Sequence, residues 1–314
     1  MSSQFQQNSS SIHHYIPIFW TKQWAGADGC VVRFDRPHID VVDRRVTPAR
    51  CGWRRDLYAI PDAGVSAQIL EEKLFKRIDT AAARALHMML TPTVTTLDPA
   101  ATLGWVTFIQ SLFHRSPENM RVTKLAGKEV WRATLPEFRD AYTAIRAADD
   151  PLTFEEYVEK RDPIEAEQSL LWSLPRLIMN DTVGQHLQSI PWVQFHVPPD
   201  EPELLLSDDP MMRTNGIKTP NGHIAMPLSP RRLLVIASER STIKSIDDVP
   251  IRQLVKDMNK WTVASARHFV VASDTRQAPF IKKHFGTSPK PSLNQGIVQR
   301  AQAARYRDMA SPSH

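Results

Sequence analysis

The sequence predicts an α+β fold, in which a helical middle region is combined with a small, mainly antiparallel sheet built from an early strand and the late strands. Three observations support this prediction. A strand-like apolar run stands at residues 30–34, helical periodicity dominates residues 66–189, and short β-like runs return after Pro191. Since helices separate the early strand from the late ones, their pairing would close one domain.

The first predicted element is an aromatic segment at residues 12–24. It contains two histidines, one tyrosine, one phenylalanine and two tryptophans. Such a density of rings is stable when it packs on the rest of the protein, so we predict that this segment is ordered and largely buried. Residues 1–11 are rich in Ser, Gln and Asn and lack the pattern of a secretory signal. We expect a disordered lead-in there.

Periodicity and turn residues predict the remaining elements. The strand at residues 30–34 follows Asp28-Gly29 and leads into a basic connector rich in Pro and Arg that ends at Arg55. Apolar residues at spacings of three and four predict the helices, and Pro175 is expected to kink or split the fifth of them. The predicted helices cover residues 66–89, 98–115, 135–148, 153–160, 165–189 and 249–272. The predicted late strands cover residues 192–197, 204–206, 224–226 and 233–236.

The chain of 314 residues is expected to form a single α+β domain at residues 12–285, followed by a polar, partly helical tail at residues 286–314. No stretch approaches the roughly 18 consecutive apolar residues of a membrane helix. Two cysteines are too few for a disulfide framework, which favours a cytoplasmic protein. The net charge of +5 is a mild bias that permits attraction to nucleic acid. The composition does not indicate an oligomeric state.

Common catalytic and nucleotide-binding motifs are missing from the sequence. We find no G-x-x-x-x-G-K-[ST], G-x-G-x-x-G, H-E-x-x-H, G-x-S-x-G or C-x-x-C pattern. The families defined by those motifs are therefore excluded, and the function has to be argued from local polar signals.

The candidate catalytic residues are His14, Asp208 and Asp209. His14 lies beside a proline-fixed turn, where an imidazole can act as a base or as a metal ligand near neutral pH. Asp208 and Asp209 end a predicted strand just before Pro210, and paired carboxylates suit a divalent cation or acid–base chemistry. The structural alternatives are a packed aromatic anchor for the histidine and a turn in which an aspartate caps backbone amides.

The candidate substrate-binding residues are Tyr15, Arg115, Asn259 and Arg267. Arg115 ends an apolar helix, where the helix dipole favours a cation in any case and where a phosphate or a carboxylate would be the functional partner. Asn259 lies on a helix face from which it could bond a buried loop. Glu72 and Asp79 share a helix face at a spacing of seven, either as exposed charges or as metal ligands.

Several motifs occur in a characteristic order along residues 12–272. They are His14-Tyr15-Ile16-Pro17 with Phe19, the strand at 30–34, Leu57-Tyr58, the helix at 70–90, Arg115-Ser116-Pro117, Ser207-Asp208-Asp209-Pro210, Met226-Pro227-Leu228-Ser229-Pro230, and Asn259 with Ala266-Arg267. In this order they resemble the bacterial family known as domain of unknown function 4238. The family pattern resembles Ser-Asp-Asn-Pro, with Asn at the position of Asp209, and it tends to carry Glu near Asp79. The negative charge that Asp209 adds would favour a cation. The resemblance implies a shared fold and a shared site, and it implies no particular reaction.

Two hypotheses follow for the function. The favoured one is a binding or recognition module, in which a basic surface engages nucleic acid or a protein partner and the polar set organises the fold. The alternative is a metal-assisted phosphodiesterase or nuclease-like hydrolase. In that case Asp208 and Asp209 would hold a divalent cation, His14 would act as a base or ligand, and Arg115 or Arg267 would pair with phosphate. The second hypothesis requires the histidine and the carboxylates to converge.

Overall fold

The computed structural model describes residues 12–59 and 69–291, and these residues form the α+β architecture expected from the sequence. The strands are β1 (Ile12–His14), β2 (Val31–Asp35), β3 (Val42–Val46), β4 (Trp53–Arg55), β5 (Trp192–His196), β6 (Leu206–Ser207), β7 (Met212–Thr214), β8 (His223–Ser229), β9 (Arg232–Ala237) and β10 (Phe269–Ala272). The helices are α1 (Ile18–Thr21), α2 (Lys76–Leu90), α3 (Pro99–Arg115), α4 (Pro117–Ile145), α5 (Phe154–Ile178), α6 (Asp181–Ser189), α7 (Arg240–Asp247), α8 (Ile251–Ser265) and α9 (Ala278–His284). The predicted lead-in and most of the predicted tail lie outside the described residues.

The early strand pairs with late segments of the chain, as predicted. Strand β2 lies antiparallel between β3 and β10, and β10 also pairs with β6, which gives the order β3-β2-β10-β6. The prediction that the late strands form one sheet with the early strand is wrong, because β5, β9, β8 and β7 form a separate four-stranded sheet. Strand β10 was hidden in a predicted helix, since a short apolar run directly after a helix has no periodicity of its own.

Two helix predictions differ from the structure. The weak helical patterns at 135–148 and 153–160 belong to the much longer helices α4 and α5. Helix α5 continues through Pro175, and the chain breaks after it, at Met179 and Asn180. The break is fixed by the side chain of Asn180, which accepts a hydrogen bond from the amide of Val183 and begins α6. A capping residue, rather than the proline, therefore decides where the helix is divided.

The aromatic segment at residues 12–24 is buried, as predicted. Trp20 and Trp24 are fully buried, and each indole N–H donates to a backbone carbonyl far along the chain. The indole of Trp20 reaches the carbonyl of Pro227 at 2.8 Å, and that of Trp24 reaches Leu204 at 2.7 Å. These bonds attach the start of the chain to the segments around β6 and β8.

Strands β1 and β4 form a separate two-stranded ribbon beside the first sheet. It is closed at Gly52, whose carbonyl accepts hydrogen bonds from the amides of Tyr15 and Ile16. Gly52 has a φ of +62°, and a Cβ atom at this position would lie 2.5 Å from the Cβ of Ile16. Only glycine fits this close approach. The ribbon places His14, Trp53 and Arg55 on one of its faces and Arg54 on the other.

Candidate functional site

Five of the seven candidate site residues lie around one cavity, which we call the motif cavity. They are Tyr15, Arg115, Asp208, Asp209 and Arg267. The cavity has a volume of about 40 Å³, which is room for a few water-sized groups only. The other two candidates, His14 and Asn259, line neither this cavity nor a common site.

Asp208 is buried at the end of β6, and its carboxylate holds the turn that leads into β10. The amides of Arg267, His268 and Phe269 donate to its two oxygens at 3.0–3.3 Å. Burial raises the pKa of Asp208, while the neighbouring His268 and the three amides act in the opposite direction. These contacts agree with the alternative in which the aspartate caps backbone amides. Its role as a catalytic residue and metal ligand stays a prediction.

Asp209 and Arg267 occupy the polar wall of the motif cavity. The carboxylate of Asp209 lies 3.6 Å from the guanidinium of Arg213, and burial raises the pKa of Asp209. The guanidinium of Arg267 donates to the carbonyl of Lys290 at 2.6 Å. The two residues are therefore engaged by the protein itself.

Asn259 bonds a buried loop, one of the roles that the sequence indicated. Its side-chain oxygen accepts from the amide of Leu205 at 2.9 Å, and its NH₂ group donates to Glu203 and Gln277. These bonds hold the chain before β6 against α8. A substrate-binding role for Asn259 stays a prediction.

His14 lines a different depression, which we call the His14 cleft. It has a volume of about 600 Å³ and is formed by β1, α1 and the start of α2. Its polar lining residues are His14, Glu71, Glu72, Lys76, Asp79 and Thr80. Nε2 of His14 lies 3.1 Å from the carbonyl of Ala49, which can only accept a hydrogen bond. Nε2 therefore carries the proton, and Nδ1 of the neutral ring keeps its lone pair. Burial lowers the pKa of His14.

Glu71 was not among the candidate residues, although it is the most perturbed carboxyl of the His14 cleft. It lies in a π-helical turn, Leu70–Phe75, that continues into α2. Its Oε2 atom is buried and has no hydrogen-bond partner among the described residues. Burial raises the pKa of Glu71 to about 7, although the nearby Arg115 acts in the opposite direction. Glu71 is thus about half protonated near pH 7.

The π turn explains why the sequence pattern indicated Glu72 instead of Glu71. Glu72 and Asp79 are seven residues apart and would share a face of a regular α-helix. A π turn contains one extra residue, so residues that are eight apart share a face across it. Glu71, rather than Glu72, therefore lies on the same face as Asp79. In the structure Glu71 is half-buried and Glu72 is exposed. The available signal was the acidic pair itself, because nothing in the sequence marks the extra residue.

Arg115 connects the motif cavity to the His14 cleft. It is fully buried, and its guanidinium makes a bidentate ion pair with Asp79, at 2.6 and 3.1 Å. It also donates to the carbonyl of His14 at 2.7 Å and lies 4.8 Å from the centre of the Phe75 ring. Its Nε atom is buried without a partner among the described residues. The sequence suggested a substrate phosphate or carboxylate for Arg115, and the structure supplies the carboxylate of Asp79.

An arginine-rich surface lies next to the His14 cleft. It consists of Arg44, Arg50, Trp53, Arg54 and Arg55, which are exposed on β3, on β4 and on the loop between them. Arg54 lies 3.4 Å from His268, and Arg33 donates to the carbonyl of Arg50 at 2.7 Å, which fixes this loop.

A comparison with known families matches residues 12–276 to the family described as "Protein of unknown function (DUF4238)". The chain belongs to this family. The match confirms the resemblance found in the ordered motifs. It includes the whole His14 cleft and all of the motif cavity except Lys290 and Pro291. No curated protein and no solved structure matches the chain significantly.

Neither a metal-binding cluster nor a membrane-spanning helix occurs in the described part of this DUF4238 protein. Within residues 12–59 and 69–291, no three His, Cys, Asp or Glu side chains form a group that could hold a metal ion. The divalent cation expected at Asp208 and Asp209 stays a prediction. In the same ranges, none of the helices has the length and apolar character needed to cross a bilayer.

The raised pKa of Glu71 predicts a pH-dependent stability for the DUF4238 protein. A carboxyl whose pKa is higher in the folded than in the unfolded state stabilises at low pH, and this contribution is lost as pH rises through the folded value. Relative to a Glu71→Gln variant, the wild type should therefore lose roughly 1–3 kcal/mol of unfolding free energy between about pH 5 and about pH 8. Urea denaturation across this range measures the difference.

The exposed neighbour supplies the control for this prediction. A Glu72→Gln variant makes the same replacement one residue away and keeps Glu71, so it should lose unfolding free energy with rising pH as the wild type does. If the wild type and Glu71→Gln change in parallel from acid to alkaline pH, Glu71 ionises normally and the prediction is wrong.

Proposed function

We propose that this protein binds single-stranded nucleic acid along the arginine-rich surface. The observation that carries the proposal is the run at residues 44–55, which contains five arginines and no acidic residue. All five side chains are exposed. Arginines clustered in one exposed segment provide the electrostatic attraction and the forked donors that phosphates bind.

Ion pairs within the protein leave part of this charge available. Arg45 is paired with Asp28, and Arg44 lies 3.6 Å from Asp35. Arg50 and Arg54 have no carboxylate partner among the described residues. Trp53, with 36% of its surface exposed, precedes Arg54 in β4 and shares a face of the ribbon with Arg55, where it offers a ring on which a base can stack. Charge with an adjacent aromatic ring favours a nucleic acid over a protein partner.

The metal-assisted hydrolase remains the alternative proposal. It needs His14, Asp208 and Asp209 around one cation, and the structure places His14 in the cleft and the two aspartates at the motif cavity. The three amides that occupy Asp208 favour a structural role for it. These observations support the binding proposal more strongly.

The test is a binding titration with fluorescent strands of about 20 nucleotides, RNA and DNA separately, in a series of salt concentrations. An Arg50→Ala/Arg54→Ala variant should bind at least about 10-fold more weakly than the wild type. The slope of log binding constant against log salt concentration should also be shallower, by about 0.7 per lost phosphate contact. Trp53→Ala should weaken binding without changing the salt dependence, because stacking is not a charge interaction.

A matched control removes two arginines elsewhere. Arg84 and Arg139 are exposed, and each is paired with a carboxylate on the helical part of the molecule. An Arg84→Ala/Arg139→Ala variant should bind as the wild type does. Equal weakening in both double variants would show that only the net charge matters, and absence of binding at low salt would contradict the proposal directly.

A further inference from the structure

We propose that the His14 cleft cleaves RNA held on the arginine-rich surface, with His14 as the general base and Glu71 as the general acid. This inference rests on the proposed binding function and adds to it a reaction and a substrate class. Three features of the structure support it. They are the continuity of the two surfaces, the hydrogen bonding of the two side chains, and the charge balance of the cleft.

The β1–β4 ribbon joins the arginine-rich surface to the cleft. Trp53 lies directly opposite His14, and Arg55 lies directly opposite Ile12. Opposite residues of an antiparallel pair stand on the same face of the ribbon. Ile12 and His14 also line the cleft. An RNA strand bound along β4 would therefore pass the mouth of the cleft.

The two side chains have complementary capacities for proton transfer. The hydrogen bond from Nε2 of His14 to Ala49 leaves Nδ1 as an acceptor, for which the described residues offer no partner. Oε2 of Glu71 is buried without a partner among the described residues, which favours the protonated form of this cleft-lining carboxyl group, and the protonated form can donate a hydrogen bond. The pKa of Glu71 is raised to about 7 and that of His14 is lowered, so near neutral pH His14 is largely neutral and about half of Glu71 is protonated. Groups with pKa values near the working pH are efficient acids and bases.

The charges around the cleft balance when Glu71 is protonated. The carboxylate of Asp79 is neutralised by Arg115. Glu72 and Lys76 are exposed charges of opposite sign on the same helix. The remaining cleft is close to neutral, so an entering phosphodiester meets no net repulsion from it.

The reaction needs no further reactant. Nδ1 of His14 takes the proton of a ribose 2′-hydroxyl while the 2′-oxygen forms a bond to phosphorus. The bond from phosphorus to the 5′-oxygen breaks, and Glu71 gives its proton to that oxygen. The products are a 2′,3′-cyclic phosphate and a 5′-hydroxyl. His14 ends protonated and Glu71 ionised, and exchange of protons with water restores both.

The experiment follows binding and cleavage on the same RNA strand, with the products identified by mass spectrometry. The wild type should release fragments ending in 2′,3′-cyclic phosphate and should bind an all-DNA strand without cutting it. Glu71→Gln and His14→Gln should each slow cleavage by about 100-fold or more and leave binding unchanged. Glutamine keeps the shape of Glu71 and can still donate to Ala49 from position 14, and thermal unfolding checks that both variants are folded.

Two substitutions of the same type serve as controls. Glu159 and His196 are exposed and lie outside the cleft, so Glu159→Gln and His196→Gln should cleave as the wild type does. Wild-type protein that binds RNA without cutting it would overturn this inference and leave the binding function intact. Loss of RNA binding itself would overturn the proposed function. Undiminished cleavage by folded Glu71→Gln, or products without a cyclic phosphate, would overturn the assigned chemistry.

Discussion

Replacing Asp79 with alanine is expected to lower the free energy of unfolding by about 3–5 kcal/mol. The substitution leaves Arg115 charged and fully buried, without the carboxylate with which it forms a bidentate ion pair. Arginine cannot escape this cost by losing its proton. The bond from Arg115 to the carbonyl of His14 and its contact with the Phe75 ring remain, but neither supplies a negative charge. Equilibrium unfolding in urea measures the loss.

Replacing Arg115, the partner of Asp79, should lower the unfolding free energy less than Asp79→Ala does. Arg115→Met leaves the carboxylate of Asp79, whose side chain is 22% exposed to the cleft and can be hydrated there. A double variant, Arg115→Met/Asp79→Leu, should recover part of the stability lost by Asp79→Ala, because no unpaired charge remains. A loss below about 1 kcal/mol for Asp79→Ala would mean that the pair behaves as an exposed salt bridge.

The sequence predicted the elements whose signal is local. Asp98 before Pro99 predicts the start of α3, and the side chain of Asp98 indeed caps it by accepting from the amide of Ala101. The aromatic residues around Trp20 predicted a buried segment because rings must be packed. In both cases the residue type alone decides the outcome.

Elements that depend on distant contacts were not predictable in the same way. Strand β10 is a strand because β2 and β6 flank it, and its four apolar residues could equally continue a helix. The candidate residues are distributed over two sites, the motif cavity and the His14 cleft, for a similar reason. The motif residues converge at one cavity, but the partner of Arg115 comes from α2, and the π turn that selects Glu71 leaves no mark in the pattern of residues.

Replacing Trp20 with alanine is expected to cost about 3–5 kcal/mol of unfolding free energy. The indole is fully buried and makes edge contacts with Trp105 and Phe108, at centroid distances of 6.4 and 5.4 Å. Alanine leaves a cavity between α1 and α3 and also leaves the carbonyl of Pro227 without its donor. The cost should therefore exceed that of Trp20→Phe, which refills most of the cavity and loses the hydrogen bond alone.

The exposed Trp53 gives the matched control for this last prediction. Trp53→Ala removes the same side chain from the arginine-rich surface, where 36% of it faces solvent, so the unfolding free energy should fall by clearly less than it does in Trp20→Ala. Trp20→Ala should thus lower mainly the unfolding free energy, and Trp53→Ala should lower mainly the affinity for nucleic acid. Comparable losses of stability in the two variants, measured by urea unfolding, would show that the segment at residues 12–24 is not anchored by its buried rings.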